Sequence, residues 1–251
     1  MISTVHSLDT SDTVHLIIGQ IGSHAYGTNT ESSDEDYMAV VLPNMSCYIG
    51  LDEWGKEGTR SVRWQDEGSD IVKYELHKFA RLMLSFNPNV VPLLYLPERC
   101  YIKVHPGGRM LIDNRRLFES KRFFDTFNGF AKSQMHKVRD KITGKLGQKR
   151  KDLIAKYGYD VKFAMHTIRI LRMAIEFCVS GSMNVDRSHI DAEELLEIKN
   201  GGWTEETFFD RAEHLISIVD SYRNDCDWIP DEPDYQGVNE LVMGIIAEYG
   251  F

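Results

Sequence analysis

The sequence predicts an α/β unit over residues 1–105 and a helical unit over residues 106–251, and three observations carry that division. Apolar runs of strand length fill the first part: His15–Ile21, Tyr37–Leu42 and Ile71–Glu75, with Val62-Arg63-Trp64 as a weaker fourth. Pro106-Gly107-Gly108 then marks a turn. Beyond it, apolar residues recur at helical spacing, as in Phe163, Ile170, Leu171, Ala174 and Phe177.

Taken in order, the strand His15–Ile21 runs into Gly22-Ser23, and short helical material is expected after Ser23. Tyr37–Leu42 is the second strand. The stretch Leu51–Ser69, rich in glycine and charge, reads as a loop that brings the third strand, Ile71–Glu75, alongside. His77–Phe86 has Phe79, Leu82 and Met83 on one helical face, and Asn87-Pro88 stops it. Val90–Leu96 fits a helix continuation or a buried strand, which periodicity does not separate. Helices are predicted over Phe118–Lys141, Lys162–Val179, Ala192–Lys199 and Thr204–Arg223. The last opens with a capping-box-like Thr204-Glu205-Glu206-Thr207. Ile229–Asp234 reads as a loop and Val238–Tyr249 as a final amphipathic helix.

With 251 residues, 42% hydrophobic and 27% charged, the composition is that of a soluble globular protein with an ample core. No apolar stretch approaches the roughly 20 residues of a membrane span. Met1–Ser7 shows neither a basic nor an apolar leader region, which predicts a cytoplasmic protein. Cys47, Cys100, Cys178 and Cys226 are scattered without zinc or redox spacing, as expected of reduced, buried thiols. The net charge of -9 is unevenly spread. Residues 1–105 carry -6, residues 106–175 carry +11, and residues 176–251 carry -14. A positive middle segment suits a triphosphate or nucleic acid, or else a basic face paired with acidic neighbours.

The chemistry concentrates in Ile21-Gly22-Ser23-His24-Ala25-Tyr26-Gly27 and Ser33-Asp34-Glu35-Asp36-Tyr37. Residues two apart in a strand share a face, so Asp34 and Asp36 stand together at one strand end. Adjacent carboxylates repel, and a divalent cation lets both stay ionised. A Gly-Ser turn leading from strand to helix offers backbone N–H groups to a phosphate. Together these are the parts of phosphoryl or nucleotidyl transfer. Lys162, His166 and Arg169, spaced by four and three residues, share one helix face, and Arg172 begins to rotate away. Lys121, Arg122 and the run Lys145, Lys149, Arg150, Lys151 are further basic candidates for acceptor or phosphate binding.

Gly-Ser, a spacer and Asp-x-Asp resemble the DNA polymerase beta-like nucleotidyltransferase superfamily. The fuller Gly22-Ser23-His24-Ala25-Tyr26-Gly27-Thr28 with Ser33-Asp34-Glu35-Asp36 is similar to one branch of it, the "predicted nucleotidyltransferase" proteins of bacteria and their phages. The resemblance continues through Asp70–Phe79 with Asn87–Val91, through Asn114-Arg115 with Ser120-Lys121-Arg122, through Gly158–Lys162 with His166, Arg169 and Arg172, and through Ile198–Gly201. It implies an α/β (α+β) nucleotidyltransferase core with a mixed sheet, followed by an α-helical domain. It further implies Mg²⁺, or Mn²⁺ in its place, held by Asp34, Asp36 and a third carboxylate on a neighbouring strand. Asp70 is favoured for that place, with Glu75 on the opposite face of the same strand as the competitor. Gly22 and Ser23 would grip the β- and γ-phosphates of an NTP, with Tyr26 and Gly27 shaping the pocket. Lys162 and Arg169 would reach phosphate oxygens, and His166 is an optional general base.

The implied reaction is attack of an acceptor hydroxyl on the α-phosphorus with release of pyrophosphate. An RNA or tRNA 3′ end is the first expectation for the acceptor, with a protein side chain or a small molecule as alternatives. A nucleotide-binding regulator without turnover, or a defence protein acting through partner contacts, would keep the fold with less need of three carboxylates.

Overall fold

The computed structural model describes residues 13–66, 69–140 and 147–250. The segment Met1–Ser7, and Lys145 of the basic run, lie outside the described residues. The chain builds one mixed five-stranded sheet in the order β3-β4-β2-β1-β5. The strands are β1 (Thr13–Ile21), β2 (Glu35–Pro43), β3 (Ser61–Asp66), β4 (Ser69–Glu75) and β5 (Tyr101–Val104). β2 runs parallel to β4, and the other neighbouring pairs are antiparallel.

Two short helices belong to this part, α1 (Gly22–Tyr26) and α2 (Ser46–Ile49), followed by α3 (Leu76–Leu84) and α4 (Pro106–Asp113). The remainder is helical, as expected: α5 (Arg122–Arg139), α6 (Gln148–Tyr157), α7 (Val161–Ser180), α8 (Ala192–Lys199), α9 (Glu205–Tyr222) and α10 (Tyr235–Tyr249). Thr204 caps α9 by accepting from Thr207 N at 3.0 Å, the bond its sequence signature predicts.

The pleat assigns the two faces of the sheet different partners. Met38, Val40 and Leu42 of β2 join Leu16 and Ile17 of β1 in the main core beneath the helices. Ala39 and Val41 face the other way and, with Ile18, pack against Trp54. Asp36 has the parity of Met38, so it lies on the helix-facing side at the strand's beginning.

Several elements differ from expectation. Within Leu51–Ser69, β3 adds an edge strand to β4, since Val62-Arg63-Trp64 extends at both ends into a full ladder. Val91–Tyr95, left open between helix and strand, is a 3-10 helix with Pro92 in its first turn. Lys149, Arg150 and Lys151 of the basic run lie in α6, for which no helix was expected and which ends on Gly158 at φ 83°. β5 is too short to show a period and pairs with β1 as an edge. Pro106-Gly107-Gly108 opens α4, with His105 Nδ1 accepting from Gly107 N at 3.2 Å. A Cβ on Gly108 would stand 1.9 Å from Leu16 O, so this helix presses directly on β1. Leu111 and Ile112 of α4 share the main core with Phe123 and Phe127 of α5, with Ile168 and Phe177 of α7 and with Ile245 of α10. Among the described residues, no helix is long and apolar enough to cross a membrane. Cys47, Cys100, Cys178 and Cys226 are free thiols.

Candidate active site

The site begins where β1 stops. Ile21 is the Cα partner of Asp36 across the β1–β2 ladder. The next residue, Gly22, has φ 67°, a left-handed conformation that turns the chain out of the strand into α1. A Cβ at Gly22 would fall 2.2 Å from Asp36 Oδ2, so the carboxylate rests against the bare Cα. Close packing against Asp36 and the positive φ together account for glycine at this position. Ser23 follows in the first turn of α1, and its carbonyl closes the turn by accepting from Thr28 N at 2.9 Å.

Across the other ladder, Asp36 is in register with Asp70. Parallel neighbours in register lie about 5 Å apart and project from the same face, so the two carboxylates stand side by side. Asp34 is exposed in the approach to β2. Its charge is felt at Asp36, whose carboxyl is raised above the usual range by burial first, then by Asp70 and by Asp34. Arg63 and His24 act in the opposite direction. Arg63, on β3, holds Asp70 with its Nε 3.0 and 3.1 Å from the two carboxylate oxygens and a further contact through Nη2. Among the described residues no hydrogen-bond donor reaches Asp34 or Asp36.

Glu75 is placed apart. It is five residues from Asp70, on the opposite face and about 16 Å along the strand. Its side chain is 1% exposed and caps α3, accepting from His77 N at 2.8 Å and Lys78 N at 3.1 Å. Tyr48 donates to it at 2.6 Å and Arg60 at 3.1 Å. Every oxygen of this carboxylate is engaged in holding the start of a helix.

The helical half reaches α1 through α7 and α8. Arg169 is 6% exposed, and its Cζ lies 3.3 Å from the centre of the Tyr26 ring. Its Nε is buried without a hydrogen-bond partner. Arg187 N donates to Tyr26 O at 3.1 Å, and Lys199 Nζ donates to Thr28 O at 3.2 Å. Lys199 is lowered from its usual range by burial and by Lys162, so those two ammonium groups lie near one another. His166 stands in the same field. Burial lowers its imidazole well below the usual range, and Arg169, Arg150, Lys162 and Lys199 lower it further. Lys162, Arg169 and Lys199 therefore form a cationic group around the neutral His166 on the side of α1 that faces the helices.

Other basic candidates are engaged elsewhere. Lys121 pairs with Asp231 at 2.9 Å and Arg122 with Glu232, both in the loop before α10. Arg150 binds Asp160, the cap of α7, at 2.7 Å. Arg172 binds Asp191 at 2.8 Å and Glu194 at 2.7 Å. Lys121, Arg122 and Arg172 of the positive middle segment are thus answered by the acidic segment that follows it, and Arg150 by an acid of its own segment. Arg63 and Lys199 join the site without a signal of their own. Arg63 lay in a weak strand inside a presumed loop, and Lys199 lay in a motif to which no role was attached.

The donor chemistry of Asp34, Asp36 and Asp70 fits a hard divalent cation: three carboxylates, a raised pKa at the middle one, and two without a protein donor. As they stand, no three His, Cys, Asp or Glu side chains among the described residues converge on a single metal position. Asp70 is drawn toward Arg63.

The chain matches a protein-family model described as the RNA repair pathway DNA polymerase beta family over residues 4–244. Among solved structures it is similar to a nucleotidyltransferase-like protein from Exiguobacterium sibiricum 255-15. The two are 11% identical, the match covers 98% of this chain and 78% of that one, and the TM-score is 0.29. No curated protein matches the sequence.

Proposed function

This chain belongs to the RNA repair pathway DNA polymerase beta family and is a polymerase beta-like nucleotidyltransferase, and on that premise we propose that it transfers an NMP from an NTP to a hydroxyl acceptor at the Gly22–Asp36–Asp70 site, releasing pyrophosphate. The observation that carries the reading is the register row Ile21–Asp36–Asp70, with Gly22 packed on the middle carboxylate. It places a backbone turn and paired acids within one small volume, the juxtaposition this reaction requires.

In this reading Asp34, Asp36 and Asp70 hold Mg²⁺, or Mn²⁺ in its place. The bound cation supplies charge neutralisation on the triphosphate and lowers the pKa of the attacking hydroxyl. Gly22 and Ser23 receive the β- and γ-phosphates, the bare Cα of Gly22 letting the backbone come close and the Ser23 hydroxyl adding a donor. Lys162 and Lys199 attract the polyanion from the helical side. His166 stays neutral there and is able to accept a hydrogen bond. Arg169 orients Tyr26 and, through it, the turn of α1. Catalysis is positioning and electrostatics, with no covalent enzyme intermediate.

The acceptor we propose is an RNA 3′ end, a tRNA included, in keeping with the family's description. The test is incubation with Mg²⁺ and each labelled NTP, reading pyrophosphate release and label transfer to RNA, to protein and to small hydroxyl compounds in parallel. Label on RNA supports the proposal. Label on protein or small molecules alone replaces the acceptor, and no release with any NTP or acceptor removes the enzymatic reading in favour of a nucleotide-binding regulator.

A further inference from the structure

Arg63 comes from β3, the outermost strand on its side of the sheet. Its Cα partner on β4 is Val72, and the long side chain reaches along the strand to Asp70, which is itself paired with Gln65. The side chain is 68% exposed, whereas the carboxylate it grips is 15% exposed. Among the described residues Asp70 is the only carboxylate that Arg63 contacts, and Asp70 has no other donor. Its field extends to Asp36 as well. A solvent-exposed guanidinium on an edge strand is thus the main positive charge facing Asp70 and Asp36.

A cation and an arginine compete for the same oxygens. Full coordination by Asp70 needs lone pairs that the bidentate arginine now occupies, and two cationic groups on one carboxylate repel. Exposed ion pairs are weak and exchange readily, so Arg63 is displaceable where a buried pair would not be. The buried pair Arg187–Asp191, with the arginine 1% exposed, is the contrast within this same molecule.

We propose that Arg63 is a resident counter-ion of the carboxylate cluster, which a divalent cation must displace from Asp70. The inference rests on the metal-binding reading of Asp34, Asp36 and Asp70. Its consequence is kinetic order. The protein alone binds the cation weakly, because the place is already partly neutralised. An NTP brings both a cation and phosphate oxygens able to receive the released guanidinium, so metal and nucleotide arrive together.

The test uses Mn²⁺ alone as the probe, with affinity read by paramagnetic resonance or calorimetry on wild type, Arg63→Gln, Arg63→Lys and Asp36→Asn. Thermal melting in chelator verifies that each variant is folded. Arg63→Gln is expected to tighten Mn²⁺ binding roughly two- to fivefold, the range of a displaced exposed ion pair. Arg63→Lys is expected to fall between it and wild type. With a non-hydrolysable NTP analogue present, the difference between wild type and Arg63→Gln should shrink. Mn²⁺ binding that Asp36→Asn abolishes but Arg63→Gln leaves unchanged or weakens overturns the counter-ion role while sparing the metal site. Absence of Mn²⁺ binding in every variant, Arg63→Gln included, overturns both.

Discussion

Gly22→Ala isolates the contact on which the site geometry turns. Alanine at φ 67° adopts a left-handed conformation that costs about 1–2 kcal/mol. Its Cβ also meets Asp36 Oδ2 at 2.2 Å and Asp36 Cβ and Cγ at 2.9 Å, so the carboxylate or the turn must shift. Overpacking of that kind typically costs about 1–3 kcal/mol. The expected destabilisation is therefore roughly 2–5 kcal/mol, a large part of the ~5–15 kcal/mol that holds a folded domain. Urea unfolding in chelator measures it free of metal effects. The same substitution made on Asp36→Ala separates the two causes. There the Oδ2 and Cγ contacts are gone and only the Cβ approach at 2.9 Å remains, so most of the clash disappears and the conformational part persists. Gly22→Ala should then cost about 1–2 kcal/mol in that background. Equal costs in both backgrounds would show that Gly22 and Asp36 do not share the space described, and the reasoning about the site would fail with them.

Three further outcomes follow from the same geometry. Asp36→Asn should abolish nucleotidyl transfer yet stabilise the metal-free protein by about 1 kcal/mol, because it removes one of two acids in register at an effective dielectric between water and protein; a lower melting temperature in chelator would contradict the repulsion. Glu75→Ala should destabilise the fold by about 2–4 kcal/mol, since it leaves Tyr48, Arg60 and two backbone N–H groups of α3 without their acceptor. The folded fraction should keep its specific activity, and a selective loss of turnover would move Glu75 into the reaction. His166 is depressed in the folded state, so the folded protein binds fewer protons than the unfolded chain and stability falls as pH drops through the ordinary histidine value of about 6.5. His166→Gln should flatten that part of the decline between pH 7.5 and 5.5 in denaturant titrations; an unchanged slope would place the proton elsewhere.

The sequence made the sheet side of the site legible because strand geometry is local and period two is rigid. Two apolar runs set Asp36 and Asp70 at strand beginnings, and the family resemblance favoured Asp70 as the partner of Asp36. Glu75 was left open because alternation separates faces but does not say what waits on each one. Its assignment as a helix cap depends on where α3 begins and on Tyr48 and Arg60 arriving from distant segments. Arg63 was hidden for a related reason. An edge strand flanked by glycine and charge carries little apolar signal of its own and exists through its ladder to β4. The basic middle segment left two readings open because net charge over a stretch does not reveal pairing; Lys121, Arg122, Arg150 and Arg172 take the paired one, on acids as near as Asp160 and as distant as Asp231 and Glu232.

The two halves of the chain contribute to the site in different ways. Asp36 and Asp70 are fixed by the sheet, through the β1–β2 and β2–β4 ladders. The Gly22-Ser23 turn has no such ladder, for α1 is only five residues long and too short to hold itself. It is held from behind by the helical half: Arg169 against the Tyr26 ring, Arg187 N on Tyr26 O, and Lys199 on Thr28 O. Arg187 is in turn locked by Glu176 at 2.6 Å and Asp191 at 2.7 Å. The Gly22-Ser23 turn is thus the joint product of a strand that ends at Ile21 and a helical bundle that begins more than a hundred residues later. The cations that press on the turn, Arg169 and Lys199, belong to the group that also holds Lys162 and His166. The elements that position α1 are therefore the ones that give its surroundings their positive field, so a substitution there changes support and charge together, while on the sheet side the two are separate.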